Sequence, residues 1–253
     1  MDNITLPSGM NAGAAKKFAP FASDILKWPR SADGIDSIYV YGSALTDDYS
    51  ENISDINSLI VLNAMDFDFL RHTASLGKTY KKSNIAPPLI MTESYINSSL
   101  DVFPDELLNM RINHACVRGR DVIAAPTIEK EFLRLQCERE LKTMLVNLRQ
   151  GFISAGGNAE GLATIMHKSI NGLIAVFRAV VFLKNEEPRL RKRDAVEDVE
   201  RVMGISNGGR AFMRVLDLRS AKGAPPKDEA QELFERYYNE VYHISMGIDE
   251  LTY

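Results

Sequence analysis

Hydrophobic positions change their rhythm near the middle of the chain. In the first half the apolar residues come in short runs rich in β-branched and aromatic types. Ser37-Ile38-Tyr39-Val40-Tyr41 ends at Gly42 and predicts a strand, and Ile56 to Leu62 predicts a second. Leu89-Ile90-Met91-Thr92, after Pro87-Pro88, predicts a third, and Glu106 to Met110 a weaker fourth. Ala14 to Trp28 reads as a helix interrupted at Pro20, and Ala64 to Lys82 as another helix. Strands alternating with helices predict a small α/β layer.

In the second half the period lengthens. Leu141, Leu145, Leu148 and Phe152 recur at steps of four, three and four, one face of a helix. Leu162, Ile165, Met166, Leu173, Ile174, Phe177, Val180 and Val181 form a second, broader face, and Leu233, Tyr237, Val241, Ile244 and Ile248 a third. Shorter helices around Asp194–Met203 and Gly209–Ser220 complete an antiparallel bundle. Gly156-Gly157, Gly208-Gly209 and Gly223 with Pro225-Pro226 are the expected breaks. Ala124-Ala125-Pro126 marks a boundary, because proline disfavours helix at the residue before it. The expected organisation is an α/β domain with a small mixed sheet over residues 1–126 and an all-α helical bundle over 127–253.

Composition adds exclusions. Of 253 residues, 45% are hydrophobic and 25% charged, which is ordinary for a globular chain. Residues 1–125 hold 11 basic and 15 acidic residues, so the formal net charge of −4 sits in that half. This balance gives no support for general nucleic-acid binding. Two cysteines, Cys116 and Cys137, with no CxxC pair, argue against a structural zinc site and a disulfide framework. Met1 to Pro20 has no basic region followed by an apolar core, and the purely apolar runs are short. No signal peptide and no membrane span are therefore expected, and a cytoplasmic location is.

The chemically informative stretch runs from Gly42-Ser43 to Asp55-Ile56-Asn57 and the apolar run behind it. Period two puts Asp55 and Asn57 on one face of their strand, with Ile56 facing the core. Glycine lets backbone approach a phosphate closely, and Ser43 adds a hydroxyl. A carboxylate near them suits a Mg²⁺ ion that neutralises charge during phosphoryl or nucleotidyl transfer.

Gly-Ser, this spacer, and Asp-apolar-acid before an apolar strand resembles the signature of DNA polymerase beta-like nucleotidyltransferases. Within that superfamily the plan is similar to bacterial aminoglycoside-nucleotidyltransferase-like proteins, which join a small α/β domain to a C-terminal helical domain. The resemblance implies transfer of an NMP from an NTP, with ATP the first candidate, to an unidentified acceptor, in a cleft between the domains. It implies that Gly42 and Ser43 bind the nucleotide phosphates and that Asp55 and a third acid hold the metal. That third acid is placed at Glu106, as metal ligand or general base, with Asp101, Asp105 and Glu93 as competitors. The chain departs from the pattern at Asn57, where the family has its second metal-binding carboxylate. An amide carbonyl is a weaker ligand for a hard cation, which favours one Mg²⁺ over two. The alternative it opens is a catalytically degenerate module that binds a nucleotide or a protein, as one half of a toxin–antitoxin-like pair or as a homodimer.

Other positions read as structural. His72, His114, His167 and His243 are scattered, without metal-ligand spacing. Arg236 and His243 lie seven apart and resemble the ribonuclease motif of HEPN domains, which implies at most a nuclease role for that pair. Arg189, Arg191, Lys192 and Arg193 form a basic knot that either stays solvated or binds an anion, with Asp194 to Glu200 partly neutralising it.

Overall fold

A computed structural model describes residues 4–51, 53–205, 210–221 and 223–253. The expected break at Gly208-Gly209 lies outside the described residues. By its contacts the chain divides into two units. One comprises residues 1–100 and 107–127, the other residues 101–106 and 128–253.

The first unit runs α1 (Ala12–Ile25), α2 (Ser31–Gly34), β1 (Ile35–Tyr41), a 3₁₀ turn (Gly42–Leu45), β2 (Asn57–Leu62), α3 (Phe67–Lys81), β3 (Leu89–Thr92) and α4 (Glu93–Ser98). Then come α5 (Pro104–Ile112), whose first turn belongs to the second unit, and β4 (His114–Gly119). The strand order is β3-β2-β1-β4. β1 is antiparallel to β2 and β4, and β2 is parallel to β3 through the α3 crossover, so the sheet is mixed. Phe18, Phe21, Ala22 and Ile25 of α1 join Ile38, Val40, Ile56, Ile60 and Leu62 of the sheet and Phe69 of α3 in one buried cluster. Trp28 seals one end edge-on to Phe69, with ring centres 5.1 Å apart.

Three expectations for this half change. The first helix continues through Pro20 to Ile25. Pro20 lies on its exposed side, where water can satisfy the carbonyl freed by the missing N–H, while Phe21, Ala22 and Ile25 bury beyond it. Glu106 to Met110 is helical, within α5, and not a strand. Pro104 at the first position with Asp105 and Glu106 in the first turn is a helix-start pattern, since proline lacks an N–H there and acids favour the positive helix end. The fourth strand is instead His114–Gly119, antiparallel to β1.

The second unit holds α6 (Lys130–Ala155), α7 (Ala159–Leu183), α8 (Lys192–Val202), α9 (Ala211–Ser220) and α10 (Ala230–Asp249). Gly156 caps α6 in the left-handed region, and Gly157 follows in the same region. α7 is the central helix. Phe177, Phe212 and Tyr237 stack edge-to-face in turn, at 4.8 and 5.3 Å, and the Tyr237 hydroxyl lies 2.7 Å from that of Ser169. Among the described residues α7 alone is long and apolar enough to cross a membrane, and 56% of that stretch is buried in the protein. That burial is what a bundle's core helix shows. The basic knot is largely met by its own acids: Arg189 pairs with Asp198 at 2.9 Å and with Glu197 at 3.1 Å, and Arg193 with Asp217 at 2.5 Å.

Candidate functional site

β1 ends, and β2 and β4 begin, at one end of the sheet. Tyr41 pairs with Asn57 on one side and with His114 on the other. Directly paired residues of antiparallel strands face the same way, so Asn57, Tyr41 and His114 form a row on one face. Ile56 is fully buried in the core, so Asn57 next to it faces the opposite side of the sheet. Asp55 precedes β2, and the strand alternation does not extend to it: it borders a cavity walled by Phe21, Ile85 and Ile90, which belong to or pack against the cluster that buries Ile56.

Gly42 follows Tyr41 with φ +81, a left-handed conformation. It is clasped from both sides by Asn113. The Gly42 N–H donates to the Asn113 carbonyl at 3.0 Å, and Asn113 Nδ2 donates to the Gly42 carbonyl at 3.1 Å. A Cβ on Gly42 would lie 3.6 Å from Asn57 Nδ2, so the glycine and Asn57 are neighbours across the two strands. Ser43 lies in the four-residue 3₁₀ turn, half-buried, and no longer helix begins there. Its carbonyl accepts from the Thr46 N–H at 3.0 Å and from Thr46 Oγ1 at 3.3 Å, which fixes the turn.

Asp55 is exposed, and among the described residues its carboxylate has no hydrogen bond or ion pair. It borders a cavity of about 610 Å³ whose walls include Phe21, Leu70, Ile85 and Ile90, with Lys81 also bordering it. That size and apolar lining are those of a small-molecule pocket.

Gly42, Ser43, Asp55 and Asn57 all lie in one unit, with Gly42 beside Asn57 and Asp55 on the cavity. Glu106 belongs to the other unit. Its Oε2 accepts from Gln136 Nε2 on α6 at 2.7 Å, while Gln136 Oε1 accepts the Asp105 N–H at 2.9 Å. Of the competing acids, Glu93 pairs with Arg120 at 2.9 Å, Asp105 is buried and Asp101 is exposed. Among the described residues no three or more His, Cys, Asp or Glu side chains are grouped as a metal site.

Two residues of this end carry no local sequence signal. Asn113 meets Gly42 across 71 positions. The imidazole of His114 is held by oxygen on both sides: Nδ1 lies 3.0 Å from the Met110 carbonyl and 2.9 Å from that of Arg111, and Nε2 lies 3.1 Å from Asp121. Burial pushes the Asp121 carboxyl up, but His114 and the N–H groups of Ala124 and Ile123 outweigh it and hold the group below the usual carboxylate value. Burial raises the Tyr41 phenol. Elsewhere, Arg236 lies 3.7 Å from Glu232, and His243 Nε2 lies 3.1 Å from the Met203 carbonyl. Compared with known proteins, the chain matches no family model, and no curated protein is similar to it.

Proposed function

We propose that the chain is a nucleotidyltransferase that moves an NMP from an NTP, ATP first among them, to an acceptor. The observation that carries this reading is the placement of Gly42 beside Asn57, two residues after Asp55, whose carboxylate has no partner among the described residues. Gly42 and the turn after it leave backbone that a phosphate can approach, and the Ser43 hydroxyl is a donor to a phosphate oxygen. The acceptor hydroxyl gives up its proton to water as its oxygen forms a new bond to the α-phosphorus, the bond from that phosphorus to the oxygen bridging to the β-phosphate breaks, and pyrophosphate leaves with that oxygen.

Asp55 and Asn57 supply one carboxylate and one amide oxygen, a set that suits a single Mg²⁺ whose other ligands are water and phosphate. Such an ion, when bound, neutralises charge on the phosphates. The cavity beside Asp55 favours a small-molecule acceptor over a protein side chain or an RNA end.

Incubating the protein with α-labelled ATP, Mg²⁺ and the small-molecule fraction of a cell extract tests this. Label transfer is expected, and Asp55→Ala should lower it by at least about a hundredfold, the scale of lost metal-assisted charge stabilisation. Glu106→Gln asks in parallel whether the third carboxylate acts. Transfer that survives Asp55→Ala intact overturns the proposal. One observation favours a second reading, a non-catalytic nucleotide-binding module, namely Asn57 in place of a carboxylate. ATP affinity indifferent to Mg²⁺, together with Asn57→Asp gaining binding or transfer, would select that reading.

A further inference from the structure

The α6–α10 face of the helical unit exposes apolar side chains from both helices. The two helices run antiparallel, since Lys142 of α6 pairs with Asp249 of α10 at 3.3 Å and Phe152 stacks on Phe234 at 5.2 Å near their other ends. Val146 and Ile153 of α6 are 44% and 78% exposed, and Tyr242 and Met246 of α10 are 49% and 41% exposed. Val146, Arg149 and Ile153 follow at steps of three and four, and so share one stripe of α6. Glu235, Tyr238, Tyr242 and Met246 do the same on α10. Between the stripes lies a groove of about 600 Å³, floored by Phe152 and Phe234. Arg149 stands on one bank and Glu235 on the other, and neither has a hydrogen bond or ion pair among the described residues.

We infer that this face binds a second copy of the same chain. The charge pattern selects that occupant. A two-fold axis lying in the face, parallel to the helices and along the groove, places α6 of one copy over α10 of the other. Arg149 of each copy then meets Glu235 of its mate, twice, because an isologous interface repeats every contact. Apolar side chains line the same groove, so the surface complements itself in both charge and hydrophobicity. A patch two helices wide and as long as α10, about 30 Å by about 20 Å, offers about 600 Å² per copy, below the roughly 800 Å² of a standard interface. The result is a dimer that forms with rising concentration.

Sedimentation velocity on the full chain from about 1 to about 100 μM reads this directly. The mass should rise from 28.3 kDa toward twice that value. Ile153→Asp, an exposed change that leaves the core intact, should weaken association at least tenfold. Arg149→Glu and Glu235→Arg should each weaken it similarly, and the doubly reversed chain should return to within a few fold of the starting affinity. A mass fixed at 28.3 kDa at every concentration overturns the inference. So does a dimer indifferent to Ile153→Asp, or a double reversal no tighter than either single one while circular dichroism shows all variants folded.

Discussion

Gly119→Ala is expected to destabilise the α/β unit by about 3 kcal/mol, the sum of left-handed strain and overpacking that nothing nearby can relieve. Gly119 has φ +85, and an added Cβ would lie 1.9 Å from the Asp36 carbonyl oxygen and 2.9 Å from the Ser37 Cα. Both are backbone atoms of the strand that Gly119 pairs with, so no rotamer change gives way. Either β4 moves off β1 or β1 bends. The displacement reaches further, because the next residues hold the buried face of the sheet. The Tyr39 hydroxyl donates to the Arg120 carbonyl at 2.7 Å and accepts the Val122 N–H at 2.8 Å, while the Arg120 guanidinium pairs with Asp36 at 2.7 Å. Trp28, the single tryptophan, is buried in this unit, so its fluorescence in a urea titration reports the unit's unfolding. A lower midpoint with little change in slope is the expected result. Gly77→Ala, with open space around the new methyl in α3, should leave the midpoint unchanged or raise it slightly. A Gly119→Ala midpoint equal to that of the parent chain would refute the clash.

What the sequence disclosed and what it hid follow from how local each signal is. The strand end at Tyr41, the turn at Gly42 and the strand start at Asn57 were readable because they lie within seventeen residues and carry β-rich runs around a glycine, whereas the shared face expected for Asp55 and Asn57 assumed that the strand begins before Asn57. The three long bundle helices were readable because each repeats one apolar face over many turns, and the two shorter ones as the segments between the expected breaks. β4 was not. His114-Ala115-Cys116-Val117-Arg118-Gly119 has no clean alternation, and it is a strand because β1 offers it a partner. α5 was misread because Leu107, Leu108 and Met110 outweighed the proline and acids before them. Asn113 and His114 join the site through pairings across the sheet, which no spacing along the chain reveals. Pro20 errs the other way: a strong local breaker is overridden by three buried side chains beyond it.

In the helical unit, Glu240→Gln is expected to stabilise the protein at alkaline pH and to leave it nearly unchanged near pH 5. Glu240 points from α10 into the bundle, is 6% exposed, and its Oε2 is buried without a partner among the described residues. Burial is the main cause that pushes its carboxyl from 4.5 up to about 7, and the neighbouring Glu200 adds to it. The Ala211 N–H at 3.3 Å, that of Phe212, and Arg236 pull the other way and do not prevail. A raised acid holds its proton more tightly in the folded state than in the unfolded one. Its favourable contribution is therefore complete below about pH 4.5 and is lost as pH climbs through about 7. The full loss is about 3 kcal/mol. Glutamine keeps a carbonyl oxygen for the Ala211 N–H and cannot ionise, so the variant escapes that loss. At pH 8.5 its helical melting temperature, followed by circular dichroism, should exceed the parent's by about 5–10 °C, and at pH 5 the two should agree. Glu200, itself raised chiefly by burial, keeps a residual slope of the same sign in both proteins. If the charged carboxylate of Glu240 held the helices together, the variant would instead melt earlier at pH 8.5. Parallel pH profiles would show that Glu240 does not titrate between the two values at all.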